Sequence, residues 1–296
     1  MKRKQFILTA LIAATSLAVT GCGKKDGAGG AKKIEIRMKG SDTMIQLGTA
    51  WAEAYRKVKP NVFVNANGGG TGTGFAALQN NTADVCMASR EIKGEEKEKT
   101  KAATTKDVIE HTVAYDALAV YTHPSNPIKE ISIEELTEIW AEGGTTDTWE
   151  KINPAFTGKM VLVGRQNNSG TYDYFREHIC GKTPDKKQRE FRQGVSELNG
   201  SSEVCEQIGK TPTAIGYSGM GYKTPHVNWL KVSKKKGEPG VEPGATAARD
   251  KSYPIARGLY LYTAGEATGE TKEFLDWIKG PDGQAIVNKE GFVSLK

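Results

Sequence analysis

Histidine is nearly missing from this chain: among 296 residues there are four, His111, His123, His178 and His226. They are scattered, with no HExxH pattern and no carboxylate at ligand spacing, so the sequence offers no metal centre. Without a His/Asp constellation or an activated nucleophile there is also no basis for a phosphate-ester hydrolase, and no enzyme is expected. Cysteine is as scarce, with Cys22, Cys86, Cys180 and Cys205 too far apart for a zinc or redox motif. In an exported chain two of these could join. Cys180 with Cys205 is the expected pair, because Cys86 lies in an apolar, strand-like run. The phosphate-loop pattern GxxxxGK[ST] does not occur, and the glycine-rich stretch 68–74 lacks the third-glycine spacing of a dinucleotide fingerprint. No cofactor is therefore expected. The lysine-rich pieces, Lys93–Lys106 and Lys234–Lys236, lack interleaved aromatics, which argues for solvated surface and against nucleic acid.

A long apolar run is absent as well. The one at the N-terminus, Phe6–Val19, falls short of the roughly 18 residues that span a bilayer. It follows Met1-Lys2-Arg3-Lys4 and precedes Val19-Thr20-Gly21-Cys22, the layout of an export signal. Small residues before a cysteine resemble the lipobox of bacterial lipoproteins. Residues 1–21 are then a leader and Cys22 a lipidated first residue that ties the chain to a membrane. An ordinary secretory signal with an incidental cysteine, or a short membrane anchor, are the alternatives. Residues 22–32, mostly Gly, Ala and Lys, are too small and polar to bury anything and read as a flexible tether. Lys2, Arg3 and Lys4 account for half of the formal charge of +6, so the body is only mildly basic, a weak hint of an anionic ligand.

What remains, about 260 residues from near Ile34, exceeds the usual size of one core and suggests two lobes. Ile34, Ile36 and Met38 alternate with charged residues as in a strand. Leu47, Trp51, Ala54, Tyr55 and Val58 follow helical spacing, Pro60 ends that helix, and Val62-Phe63-Val64 restarts a strand. Strands are expected over Ala83–Ala88, Val108–Thr122, Met160–Val163, Ala214–Tyr217, Trp229–Val232 and Ile255–Thr263. Helices are expected over 95–105, 133–140, 172–179, 202–208, 270–278 and 283–288, with a Gly/Pro loop over 237–249. Ser132 with Glu135 forms a capping box ahead of one helix. The alternation is that of an α/β protein.

Polar turns recur between a strand and a helix: Ser41-Asp42-Thr43, Thr71-Gly72-Thr73 and Ser169-Gly170-Thr171. A helix N-terminus presents unpaired N–H groups and a partial positive charge, and hydroxyls add donors, so such a turn attracts a small anion. A single turn means no more than N-capping. Three, together with Arg165 and Arg90 at strand ends, can converge on one tetrahedral oxyanion, with arginine supplying a permanent charge.

Gly40-Ser41-Asp42-Thr43-Met44, Gly70-Thr71-Gly72-Thr73-Gly74, Ala88-Ser89-Arg90 and Arg165-x-x-x-Ser169-Gly170-Thr171 resemble, in order and spacing, the PstS family of phosphate-binding proteins. The resemblance continues through Ile215-Gly216-Tyr217, Tyr253-Pro254-Ile255, Leu259–Tyr262 and the closing 283–293. It implies a two-lobed, Venus-flytrap solute-binding protein with mixed sheets flanked by helices. The lobes are 33–114 plus 256–296 and 115–255, joined by a two-strand hinge. The resemblance further implies that phosphate is held in the cleft by Ser41, Asp42, Thr43, Met44, Thr71, Thr73, Ser89, Arg90, Arg165, Ser169, Gly170 and Thr171, with Arg165 as the main charge. The partners implied are an ABC permease and its ATPase, the protein being a monomer outside the cytoplasm.

Two departures bear on the site. Some members of that family carry an aspartate where this chain has Arg90; it accepts the proton of hydrogen phosphate and so rejects sulfate. Asp42 is the nearest replacement. Asn167 stands where a family acid can orient the arginine, so another group must hold Arg165. The competing readings are an importer subunit for molybdate, tungstate or sulfate, against which the arginines weigh, and a lipid-anchored receptor that senses phosphate.

Overall fold

The structure is a computed structural model that describes residues Lys32–Lys296. The leader, Cys22 and the tether up to residue 31 lie outside the described residues. The first third alternates strand and helix: β1 (Ile34–Gly40), α1 (Ile45–Val58), β2 (Val62–Asn67), α2 (Thr71–Gln79), β3 (Val85–Ala88) and α3 (Gly94–Thr104). β1 lies parallel between β2 and β3. α1 turns Leu47, Trp51 and Tyr55 inward, and the buried Trp51 indole donates to the Gly283 carbonyl at 2.9 Å.

The long β4 (Val108–Thr122) then carries the chain into a second region. There follow β5 (Glu130–Ser132), α4 (Ile133–Trp140), β6 (Val161–Arg165), α5 (Gly170–Phe175) with a π-helical turn Arg176–Cys180, β7 (Ser196–Leu198), α6 (Ser201–Gly209) and β8 (Ala214–Gly219). β9 (Asn228–Trp229), β10 (Lys231–Ser233) and α7 (Ala245–Arg249) lead to β11 (Ala256–Ala264), which returns the chain to the first region, where α8 (Gly269–Lys279) and α9 (Pro281–Lys289) close it. One mixed sheet runs β2-β1-β3-β11-β4-β8-β6-β7, with β9 beside β4, while β10 and β5 form a separate pair.

Apolar burial falls into two main cores. One gathers Ile36, Met38, Leu47, Trp51, Val85, Val113, Leu259, Leu261 and Phe274. The other gathers Leu118, Val120, Ile139, Trp140, Trp149, Phe175, Tyr217 and Ile255. On both β4 and β11 the side chains change core within a few residues, around Tyr115–Asp116 and Ala256–Gly258. Val293 of the C-terminal tail bridges Tyr115 and joins the second core.

Some expectations need correction. Trp229–Val232 is not one strand, because at Leu230 the chain passes from β4 to β5: the Leu230 N–H donates to Val120 and the Lys231 N–H to Lys129. The 237–249 stretch is not all loop, since Ala245–Arg249 forms α7 and buries Ala248. Cys180 and Cys205 are not joined. Cys86, Cys180 and Cys205 are free and buried, with Cys180 in the second core and Cys205 in a separate cluster with Val204 and Ile208. Each fills an apolar position, and burial pushes the thiols of Cys180 and Cys205 up to about 12.

Candidate functional site

The polar turns come together between the two cores, and glycines make the approach possible. Gly40 ends β1 with φ +146°, and a Cβ there would stand 2.1 Å from the Met87 carbonyl oxygen. The Ser41 N–H instead donates to that oxygen at 2.8 Å. This seats Ser41 beside the end of β3, where its hydroxyl donates to Ser89 Oγ at 2.9 Å. Gly70 has φ +94° with the Asn168 carbonyl 2.2 Å from where its Cβ would be. Thr71 therefore opens α2 against the facing turn, and its Oγ1 accepts the Ser89 N–H at 3.3 Å.

The third turn follows β6. Ser169 caps α5, its Oγ accepting the Thr171 N–H at 3.1 Å. A Cβ on Gly170 would meet Thr71 Oγ1 at 2.2 Å and Ser89 Oγ at 2.6 Å. Thr43 Oγ1 and Thr171 Oγ1 lie 2.6 Å apart. Ser41, Thr43, Thr71, Ser89, Ser169, Gly170 and Thr171 thus form one buried hydroxyl-rich cluster drawn from both sides.

The charge nearest these hydroxyls is Arg257, which sequence reasoning missed. Its Nη1 donates to Thr171 Oγ1 at 3.1 Å and to the Ser89 carbonyl at 3.2 Å, and its Nη2 approaches Thr43 Oγ1 at 3.4 Å. Asp116 pairs with it, accepting from Nε at 3.1 Å and Nη2 at 2.8 Å, and also accepts the Met220 N–H. Burial pushes the Asp116 carboxyl upward, with Arg257 opposing. Both residues sit where β4 and β11 change core. The available signal was a lone charge inside each apolar strand run, Val113–Val120 and Ile255–Tyr262.

Arg165 is fully buried but does not point its donors at the hydroxyls. They go to Asp42 Oδ2 at 2.9 Å, Ser201 Oγ at 2.8 Å, Gln166 Oε1 at 3.0 Å and the Leu198 and Asn199 carbonyls. Burial lowers its pKa, with Asp42 opposing. Asp42 is thus the group that holds Arg165 in place of an acid at position 167. Its carboxylate also takes the Gly69 N–H at 2.8 Å and Gln166 Nε2 at 2.9 Å, which occupies the residue expected to accept a phosphate proton.

Three expected residues stand apart. The Arg90 guanidinium is taken by Glu96 at 2.8 Å and Asp173 at 2.9 Å. The Met44 side chain lies in the first core, leaving only its backbone near the turn. Thr73 is at the rim, donating to the Gly69 carbonyl at 2.7 Å and facing Asn168. Among the described residues no group of three or more His, Cys, Asp or Glu could hold a metal ion.

Hydroxyl donors around a buried guanidinium, set between two cores that share two strands, define a two-lobed solute-binding protein. A family model described as a PBP superfamily domain matches residues 25–281. The phosphate-binding protein PstS of Pseudomonas aeruginosa PAO1 is 32% identical over 276 residues, covering 86% of this chain and 81% of the relative. PstS of Bacillus subtilis is 31% identical over 308 residues, covering 100% and 95%. The chain belongs to the PstS family of phosphate-binding proteins. Among solved structures, a Clostridium perfringens putative phosphate ABC transporter substrate-binding protein with bound phosphate matches at TM-score 0.76 and 28% identity, over 88% of this chain and 100% of that one.

Proposed function

We propose that this protein captures inorganic phosphate between its lobes and delivers it to an ABC importer, performing no chemistry on it. The observation that carries the reading is the hydroxyl cluster around Arg257. Thr43, Thr71, Ser89, Ser169 and Thr171 offer short, rotatable donors, and a buried guanidinium offers a permanent charge in a poorly solvated site, where each charge-assisted bond is strengthened. In the closed arrangement Ser89 pairs with Ser41 and Thr43 with Thr171, while Thr71 and Ser169 accept backbone N–H groups, so an anion entering the cleft exchanges hydroxyl–hydroxyl bonds for stronger hydroxyl–anion bonds. Arg165, held by Asp42, adds positive potential beside the cluster, and the backbone N–H groups of Thr43 and Gly170 are the further donors, those of Met44 and Thr171 being bonded to the Ser41 carbonyl and Ser169 Oγ.

The lobes are 33–114 plus 256–296 and 115–255, with β4 and β11 as the hinge. The two cores that change over at Tyr115–Asp116 and Ala256–Gly258 support this division. On this reading the body is a monomer outside the cytoplasm, tethered to a membrane by a lipid on Cys22; the basic start, apolar run and small residues before that cysteine support it. Among the described residues no helix is long and apolar enough to cross a bilayer.

The test is calorimetric titration of the mature protein, freed of anion by unfolding and refolding, with phosphate, sulfate, molybdate and a phosphate monoester. Tight phosphate binding that sulfate does not displace, lost in Thr71→Val, is the expected result. Preference for sulfate or molybdate, or no anion binding, overturns it.

A further inference from the structure

Besides Arg257 and Asp116 on the two hinge strands, two ion-paired contacts cross between the lobes, and they run in opposite senses. Asp42 of the first lobe meets Arg165 of the second at 2.9 Å. Asp173 of the second lobe meets Arg90 and Lys93 of the first, each at 2.9 Å. Neither Asp173 nor Lys93 belongs to the hydroxyl cluster, yet both ride on segments that do. Asp173 lies two residues beyond Thr171 on α5, and Arg90 directly follows Ser89. Any motion that brings Gly170 and Thr171 onto Thr71 and Ser89 therefore also brings Asp173 onto its cations.

The two sides of this contact are unequally prepared. Arg90 keeps bonds to both Glu96 oxygens within its own lobe, and Glu96 also accepts the Lys93 N–H at the start of α3 at 3.0 Å. The Arg90 guanidinium and the Lys93 backbone thus stay in position when the lobes part. Asp173 keeps only the looser Arg176 at 3.7 Å, so opening costs it its close partners. The two ion pairs also differ in access to solvent. The Arg165 side chain is 0% exposed, whereas that of Lys93 is 34% exposed, so water and salt reach the Asp173 contact first.

We propose that Asp173 is a closure residue: through Arg90 and Lys93 it holds the lobes shut and sets the rate at which the bound anion leaves, without touching that anion. The inference rests on the phosphate reading. It assigns Arg90 to the closure contact and not to the ligand. Affinity differences among variants of one site fall mainly on dissociation, and loss of this contact acts after encounter, so only that step should change.

Stopped-flow association and displacement of phosphate on the full mature protein tests it. Asp173→Asn should raise the dissociation rate on the order of tenfold with the association rate unchanged, Asp173→Glu should restore the slow rate, and Lys93→Gln should give a smaller rise. The wild-type dissociation rate should climb with ionic strength, and Asp173→Asn should flatten that climb. If wild type binds phosphate but Asp173→Asn and Lys93→Gln both dissociate at the wild-type rate, or if association falls as much as dissociation rises, the closure role is wrong. If wild type binds no phosphate, the functional reading itself fails first.

Discussion

Gly170 illustrates how far the site depends on single atoms. A methyl there would overlap Thr71 Oγ1 and Ser89 Oγ, but only when the lobes are together. Overpacking of this kind costs roughly 1–3 kcal/mol, about 5- to 150-fold in a dissociation constant. Gly170→Ala should weaken phosphate binding by that factor in calorimetry, with little change in the melting temperature of the anion-free protein. Arg257 carries a different liability, because removing one member of a buried pair leaves the other uncompensated. Arg257→Gln should destabilise the fold by roughly 3–5 kcal/mol and abolish binding. The double variant with Asp116→Asn should regain most of the stability in denaturant titrations while still failing to bind, which separates the structural debt to Asp116 from the debt to the ligand.

At the scale of elements, the strongest local signals were also the most legible. Ser132 and Glu135 form the capping box their spacing predicts, Ser132 Oγ accepting the Glu135 N–H at 3.1 Å and Glu135 Oε2 the Ser132 N–H at 3.0 Å. Ser132→Ala should cost about 1 kcal/mol in chemical denaturation. The short pieces β5, β7 and α7 were not legible, because three to five residues carry too little periodicity and exist only by pairing with or packing on distant chain. His111 on β4 shows the same dependence on neighbours. Burial lowers its pKa below 6.5, and Lys279 of α8 adds to the effect. A depressed histidine contributes stability that is present above pH 6.5 and is lost as pH falls through the lower folded value. Melting temperature should therefore drop on acidification below pH 6.5 more steeply in wild type than in His111→Gln.

For the whole molecule, binding between two lobes couples ligand to fold. A ligand at a thousandfold excess over its dissociation constant stabilises by about 4 kcal/mol. Calorimetric melts should thus show a large upward shift with phosphate. A sulfate shift of equal size would mean that the cleft does not read the proton on the anion.

The alternation of strands and helices, the three polar turns and the family to which they belong were legible in the amino-acid order, because these are local: spacing sets periodicity, and glycine and hydroxyl residues set how a turn ends a strand and opens a helix. The partners of the charges were decided only in three dimensions. Arg165 and Asp42 are 123 positions apart and Arg257 and Asp116 are 141, and nothing in local spacing says which buried charge will neutralise which. The penalty for leaving a charge unpaired away from water is imposed by the tertiary fold. That fold turned Arg165 toward Asp42, took Arg90 out to Asp173, and left Arg257, a lone charge in an apolar strand, beside the hydroxyls.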